Sequence, residues 1–367
     1  MRIVLSGGGT GGHIYPALAL RVALLAQYPQ AEFLYIGTEN GLESKLVPKA
    51  GLAFQAIKIQ GLRRSLSLEN VRTAYYMMTS VNRSKKILKD FKPDIVVGTG
   101  GYVCAPVLYA ASHMGIPTII HEQNSVAGVT NKFLARYVDR IAICFEHARQ
   151  DFAKYKHKIV FTGNPRAQEI AQIASKADLT SYGLNNDQPT LLVFGGSRGA
   201  QKINEAVLEM VPLLEERNYQ CLVATGEAYY QYFKEELGNL DQFNQVSIQA
   251  YIDDMPSLMN AVDLVVCRSG ATTLTEITAL GLASILIPSP NVTGNHQHVN
   301  ARSLSDQGAA ILLDEADLTS QQLLAQIDDL MAYPDKRHQM AKKAKALGVA
   351  DAGDRLVSVV AELIKSS

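Results

Sequence analysis

The sequence predicts an α/β protein built from two Rossmann-like parallel-sheet domains. Three observations carry that reading. Short continuous apolar runs recur along the chain, many of them followed by a glycine-containing or polar turn and then a helical pattern. One such run near the start of each half leads into a glycine-rich turn and a helix. The length, 367 residues, also suits two domains at roughly 100–200 residues each.

The runs of the first half are Ile3-Val4-Leu5, Phe33-Leu34-Tyr35-Ile36, Ile95-Val96-Val97 and Thr118-Ile119-Ile120. Those of the second are Leu191-Leu192-Val193-Phe194, Leu222-Val223-Ala224, Leu264-Val265-Val266 and Ile285-Leu286-Ile287. Strands that stay apolar at every position are buried on both faces, as parallel sheets covered by helices are. The paired turns are Gly7-Gly8-Gly9-Thr10-Gly11-Gly12 and Gly195-Gly196-Ser197-Arg198-Gly199. A boundary is expected near Gly163-Asn164-Pro165, because Pro165 lacks a donor and holds Asn164 extended. This gives domains at 1–163 and 164–349. Residues 350–367 form an amphipathic helix with Leu356, Val359, Val360, Leu363 and Ile364 on one face. That face needs a partner, and the first domain is the expected one.

Composition narrows the function. With 47% hydrophobic and 19% charged residues there is material for two cores. Lys+Arg and Asp+Glu are both 35, which argues against a broad nucleic-acid footprint. Cys104, Cys144, Cys221 and Cys267 show no metal-ligand spacing and read as reduced core residues of a cytosolic protein. No secretory leader is expected. No apolar run approaches the ~20 residues of a membrane span, so membrane contact is expected to be peripheral.

The first turn contains a literal G-x-G-x-x-G at Gly7, Gly9 and Gly12. Glycines let amides approach a phosphate at a helix N-terminus. Pro16 is expected in the first turn of that helix. Two other readings stand beside it: a plain tight turn, and a dehydrogenase fingerprint with Glu39 as its acidic residue. His13 follows at once; a neutral imidazole there can accept a proton, or only hydrogen-bond the loop. The second turn offers Ser197 and Arg198 ahead of a helix, which suits a diphosphate. Further on, Arg268-Ser269-Gly270-Ala271-Thr272 leads into a helix with Glu276 about one turn inside. A carboxylate there can accept from a ribose diol or stand solvated. His121-Glu122-Gln123-Asn124 follows an apolar run, where polar residues line ligand crevices. Asn291, Asn295, His296, Gln297 and Asn300 form a further polar cluster, suited to sugar hydroxyls or to loop chemistry. Residues 68–89 suggest an amphipathic helix with Leu68, Val71, Tyr75 and Met78 on one face, Lys85, Lys86 and Lys89 beyond, and Arg63 and Arg64 upstream. That suits an anionic membrane surface or an ordinary core helix with a basic end. No Asp-x-Asp motif occurs; Asp253 and Asp254 are contiguous.

Taken together, residues 7–16, 98–102, 121–131, 162–166, 195–201, 267–276 and 297–301 resemble the MurG family, UDP-N-acetylglucosamine transferases that complete the lipid-linked peptidoglycan precursor. The resemblance runs almost end to end. It implies the GT-B fold, with a cleft between the two domains and the final helix returning to the first. It implies that the second domain holds UDP, with the Ile252 backbone at the uracil and Glu276 at the ribose. Ser197 and Arg166 would sit by the diphosphate. Gln297, Asn124 and the backbone near Ala271 and Thr272 would meet the N-acetylglucosamine. Thr10, Gly11, Gly12, Gly101 and Tyr102 would face the acceptor, undecaprenyl-diphospho-N-acetylmuramoyl-pentapeptide. It implies an inverting displacement at the cytoplasmic face of the bacterial membrane. His13 is the candidate base, no metal or cofactor is required, and UDP-N-acetylglucosamine is a substrate. The chain departs from many members in having His296 before Gln297 where they have two glutamines. Other readings are a related enzyme with a different lipid acceptor, a nucleotide-sugar 2-epimerase, and a non-catalytic sugar-nucleotide-binding subunit.

Overall fold

The structure, a computed structural model, describes residues 1–61, 68–196 and 200–365. The chain divides into two compact units, Met1–Glu169 with Asp351–Ser367, and Ile170–Ala350. The division falls six residues beyond the expected 163/164 boundary, inside the short helix Arg166–Ala171. Asn164 accepts from the Arg166 amide at 3.1 Å, so the proline turn starts that helix rather than a free linker.

Unit 1 runs β1 (Arg2–Ser6), α1 (Gly11–Gln27), β2 (Glu32–Thr38), α2 (Glu43–Lys49), β3 (Ala53–Ile57), α3 (Leu68–Phe91), β4 (Ile95–Gly98), α4 (Cys104–His113), β5 (Thr118–Glu122), α5 (Val129–Leu134), β6 (Arg140–Ile143), β7 (Ile159–Phe161) and α6 (Arg166–Ala171). Its seven strands are parallel in the order β3-β2-β1-β4-β5-β6-β7. Unit 2 continues with β8 (Thr190–Phe194), α7 (Gln201–Leu214), β9 (Gln220–Ala224), α8 (Glu227–Leu237), β10 (Val246–Gln249), α9 (Met255–Met259), β11 (Leu264–Cys267), α10 (Ala271–Leu280), β12 (Ala283–Leu286), α11 (His296–Ser305), β13 (Ile311–Leu312), α12 (Ser320–Ala332) and α13 (Pro334–Leu347). Its sheet has the order β10-β9-β8-β11-β12-β13. Each half therefore repeats the dinucleotide-fold order, in which the order of strand addition reverses between the first and fourth strands.

That reversal positions the site. Ser6 at the end of β1 lies in register with Gly98 at the end of β4. Phe194 at the end of β8 lies in register with Cys267 at the end of β11. The turns that leave these paired strand ends must lie side by side in each unit.

The helix α14 (Ala352–Lys365) packs in unit 1. Leu356, Val357, Val359, Val360 and Leu363 share one apolar cluster with Ile3, Leu5, Leu20 and Leu24. Fully burying such a side chain contributes about 1.5–3 kcal/mol, so this face is a large part of what closes one side of the first sheet.

One local expectation is corrected and another is narrowed. Pro16 lies in the second turn of α1, because the helix already starts at Gly11, with the Thr10 carbonyl accepting from His13 at 3.1 Å. In α3 the stripe facing the core runs through Ser80, Ser84, Ile87 and Leu88. Tyr75 and Met78, on the apolar face read from the sequence, are 59% and 65% exposed, so of the two readings of that face the core-facing one does not hold for them. The side chains of Leu68 and Val71, and residues Arg63 and Arg64, lie outside the described residues. No helix among the described residues is long and apolar enough to cross a membrane.

Candidate active site

In unit 1 the candidates gather at the C-terminal ends of β1, β4 and β5. Thr10, Gly11, Gly12 and half-buried His13 open α1. The first helical bonds are donated by His13 and Ile14 to the Thr10 carbonyl, so the amides of Gly11 and Gly12 precede the ladder and can meet an acceptor. The imidazole of His13 is oriented from behind: its Nδ1 lies 2.8 Å from the Gly8 carbonyl. A carbonyl only accepts, so Nδ1 carries the hydrogen and the neutral ring keeps its lone pair on Nε2.

The β1 turn is locked to the β4 turn. The Gly8 amide donates to the Gly100 carbonyl at 3.2 Å. Thr99 Oγ1 donates to the His13 carbonyl at 2.6 Å. Gly101 has φ +84, and a side chain there would run into the Gly8 carbonyl. Its neighbour Tyr102 is 37% exposed. Glycine at position 8 is set by the protein's own packing rather than by a phosphate: a Cβ there would come within 2.5 Å of the buried Glu43 carboxylate. Gly9, by contrast, faces open space.

The polar residues at the end of β5 and just beyond it divide differently from expectation. His121, Glu122 and Gln123 are at most 2% exposed, and they hold the loop instead of lining a crevice. Glu122 accepts from the amides of Asn124 at 3.0 Å and Gly128 at 3.0 Å, and from Asn131 Nδ2 at 2.9 Å. Turning a backbone away from a strand end leaves amides unpaired, and one buried carboxylate satisfies several at once. Asn124 is left half-exposed at the tip. Gln123 Nε2 donates to the Thr99 carbonyl at 2.8 Å, which ties this loop to the β4 turn.

His121 Nε2–H donates to the Gly163 carbonyl at 3.0 Å, and Nδ1 accepts from Gln123 at 2.8 Å. Burial pushes this imidazole down to about 4, against a smaller upward pull from the Gly163 carbonyl. Unfolded histidine titrates near 6.5, so between the two values the unfolded chain binds more protons. The stabilising contribution is complete above about pH 6.5 and is lost as pH falls toward 4, at an order-of-magnitude cost of about 3 kcal/mol. Unfolding free energies at pH 7 and 4.5 should differ by less in His121→Gln than in the parent; an equal difference would remove His121 as the cause.

Arg166, at the start of α6, pairs with Glu169 at 2.8 Å and lies over the Tyr15 ring at 5.3 Å, beside the first turn of α1.

In unit 2, Gly270 is the N-cap of α10 without a side-chain cap. The first helical bond is donated by Leu274 to the Gly270 carbonyl, so the amides of Ala271 and Thr272 precede the ladder. Thr272 Oγ1 is buried with no hydrogen-bond partner. Glu276 follows about one turn along the helix. Ser269 Oγ donates to the Gln297 carbonyl at 2.8 Å, Asn300 Nδ2 donates to the Ser269 carbonyl at 3.2 Å, and Gln297 Oε1 accepts from the Ser289 amide at 2.8 Å. These bonds bring Gln297 to the start of α10. The polar cluster around it lies largely on α11, preceded by Asn295 at φ +50. Ile252 is buried, three residues past the edge strand β10. Ser197, Arg198 and Gly199 lie outside the described residues. Of the aspartate pair, Asp254 caps α9 by accepting from the Ser257 amide at 3.2 Å.

Residues 3–143 match the glycosyltransferase family 28 N-terminal domain and residues 190–356 its C-terminal domain. A relative from Listeria monocytogenes serovar 1/2a is 53% identical over 365 residues, covering all of both chains. It is named UDP-N-acetylglucosamine--N-acetylmuramyl-(pentapeptide) pyrophosphoryl-undecaprenol N-acetylglucosamine transferase. The chain belongs to the MurG family, within glycosyltransferase family 28. The crystal structure of Acinetobacter baumannii MurG superposes with a TM-score of 0.75 at 26% identity, covering 98% of this chain and 99% of that one. A putative UDP-N-acetylglucosamine 2-epimerase from Listeria monocytogenes gives 0.74 at 15% identity, covering 100% of this chain and 97% of that one, a likeness of fold alone.

Within this MurG-family chain, the sequence pattern singled out the strand-end residues but not the residues that hold them. Glu43, fully buried, is one that it missed. Glu39, four residues earlier and weighed as a dehydrogenase acid, is exposed. A glutamate in the first turn of a short helix carries no signal in sequence that separates a buried acceptor from a solvated one.

Proposed function

We propose that the chain transfers N-acetylglucosamine from UDP-N-acetylglucosamine to the 4-hydroxyl of undecaprenyl-diphospho-N-acetylmuramoyl-pentapeptide, with inversion. This is the lipid I to lipid II step of peptidoglycan synthesis, at the cytoplasmic face of the bacterial membrane. The observation that carries the reading is end-to-end similarity at 53% identity to a relative named for that transfer. Strand-end amides and side chains suited to it occur in both units.

In unit 2 the α10 N-terminus and the Thr272 hydroxyl meet the donor, Glu276 takes the ribose diol, Gln297 the sugar, and the Ile252 backbone the uracil. Arg166 and Ser197 serve the diphosphate. In unit 1 the turn at Thr10, Gly11 and Gly12, with Gly101, Tyr102 and Asn124, orients the substrates. His13 Nε2 takes the proton of the 4-hydroxyl as its oxygen bonds to the anomeric carbon. The bond from that carbon to the β-phosphate oxygen breaks, and UDP leaves with the electron pair. Oriented amides at helix N-termini stabilise the charge growing on the β-phosphate, and we propose that no metal is needed. Peripheral membrane contact is assigned to α3, where exposed Tyr75 and Met78 precede exposed Lys85, Lys86 and Lys89; apolar and cationic side chains together bind anionic bilayers.

The test is transfer of labelled N-acetylglucosamine to the purified lipid acceptor with and without a chelator. Transfer at the same rate in both is expected. Loss of transfer with chelator would overturn the metal-free part. Conversion of the donor with no acceptor present would favour the epimerase reading.

A further inference from the structure

We propose that Glu43 is a positioning residue that acts on His13 through the single peptide group joining Gly8 and Gly9. This rests on the reading of His13 as the base. The Gly9 amide donates to Glu43 Oε2 at 3.1 Å, and the Gly8 carbonyl accepts from His13 Nδ1 at 2.8 Å. The N–H and the C=O belong to one conjugated, planar unit. A carboxylate at the N–H end draws the amide hydrogen and pushes electron density onto the carbonyl oxygen. The oxygen then becomes a stronger acceptor for Nδ1–H, and a chain of such bonds is mutually strengthening in a low dielectric. The effect favours the tautomer with its lone pair on Nε2, and it stabilises the imidazolium formed when Nε2 takes a proton. An aspartate does this by direct contact in the Ser-His-Asp arrangement; here a peptide is interposed.

The surroundings fit the role. Glu43 has no exposed surface, so its field is little screened by water. Its other oxygen accepts from the Thr38 amide at 3.0 Å and Thr38 Oγ1 at 2.6 Å. Two strand-end donors therefore hold the carboxylate while the second oxygen faces the turn. Glycine at position 8 allows the approach, since any Cβ would collide with the carboxylate. Glu43→Gln keeps the shape but removes the charge and turns an amide N–H₂ toward one of the donors.

The experiment combines Glu43→Gln, Glu43→Asp, His13→Ala and the Glu43→Gln/His13→Ala double variant in the full chain, with UDP-N-acetylglucosamine and the lipid acceptor. Glu43→Gln should lower kcat about 10- to 100-fold, the order of a misaligned catalytic group, with KM for the donor within about twofold. In the His13→Ala background the same change should alter the residual kcat by less than about twofold, because groups acting through one another are non-additive. Glu43→Asp, which keeps the charge, should retain more turnover than Glu43→Gln. Histidine ¹⁵N spectra of the unaltered protein should show His13 protonated on Nδ1. An equal loss in both backgrounds, or His13 protonated on Nε2 in the unaltered protein, overturns the proposal; the second needs no variant to fold. Full turnover in His13→Ala would instead sink the base reading, whatever Glu43→Gln does.

Discussion

His13→Ala is expected to lower kcat by about 10²–10⁴-fold, the range for loss of a general base, with the affinity for UDP unchanged. The direction follows from the hydrogen bond to Gly8: with Nδ1–H committed to a carbonyl, Nε2 is the atom left to take a proton. His13→Gln is the sharper comparison, since it can still donate to Gly8 yet has no titratable nitrogen. Both variants should lose turnover to a similar extent if proton transfer is the lost step. If His13→Gln recovers most of it, the ring's task is only to brace the turn. Rapid-quench single turnovers separate these outcomes from slow product release.

Gly101→Ala is expected to be nearly as damaging and for a different reason. At φ +84 an alanine incurs roughly 1–2 kcal/mol of backbone strain, and its Cβ would meet the Gly8 carbonyl. Backbone cannot swing aside as a flexible side chain does. The Gly8 peptide must shift, and the same carbonyl orients His13. A displacement of about 1 Å at a catalytic group costs on the order of 10²-fold in rate. We therefore expect unit 1 to lose about 2–4 kcal/mol of stability and turnover to fall about 10²-fold. Denaturant unfolding monitored in unit 1, with kcat beside it, checks both. A stability change under about 0.5 kcal/mol, with turnover within twofold, would show that the two turns are not mechanically joined.

The strands legible in the sequence were those buried on both faces. All eight apolar runs fall on β1, β2, β4, β5, β8, β9, β11 and β12, with Ile287 one residue past β12. Four of the five that escaped, β3, β7, β10 and β13, are the edges of the two sheets. An edge strand such as Ala53–Ile57 has alternate residues exposed and needs no continuous apolar run. The fifth, β6, is four residues long and begins with Arg140. The site followed the same logic. Turns that open a helix after an apolar run show in sequence, so Thr10 to His13 and Ala271 to Glu276 could be named. Residues that brace those turns from the interior could not. Glu43 reaches the first turn from another strand–helix connection, and Glu122 faces inward rather than lining a crevice, because sequence spacing does not say which way a carboxylate faces.

The membership of α14 in unit 1 has a consequence for how the chain comes off the ribosome. The apolar cluster holding Ile3 and Leu5 is completed by Leu356 to Leu363, with the whole of Ile170–Ala350 made in between. At about 5–20 residues per second, those roughly 180 residues take on the order of 10–40 s to synthesise. Throughout that interval α1 presents Leu20 and Leu24 to solvent or to a chaperone, whereas unit 2 has its entire sequence as soon as Ala350 is added. The nascent protein therefore matures out of numerical order: its second half can finish first, and its beginning is sealed by its end.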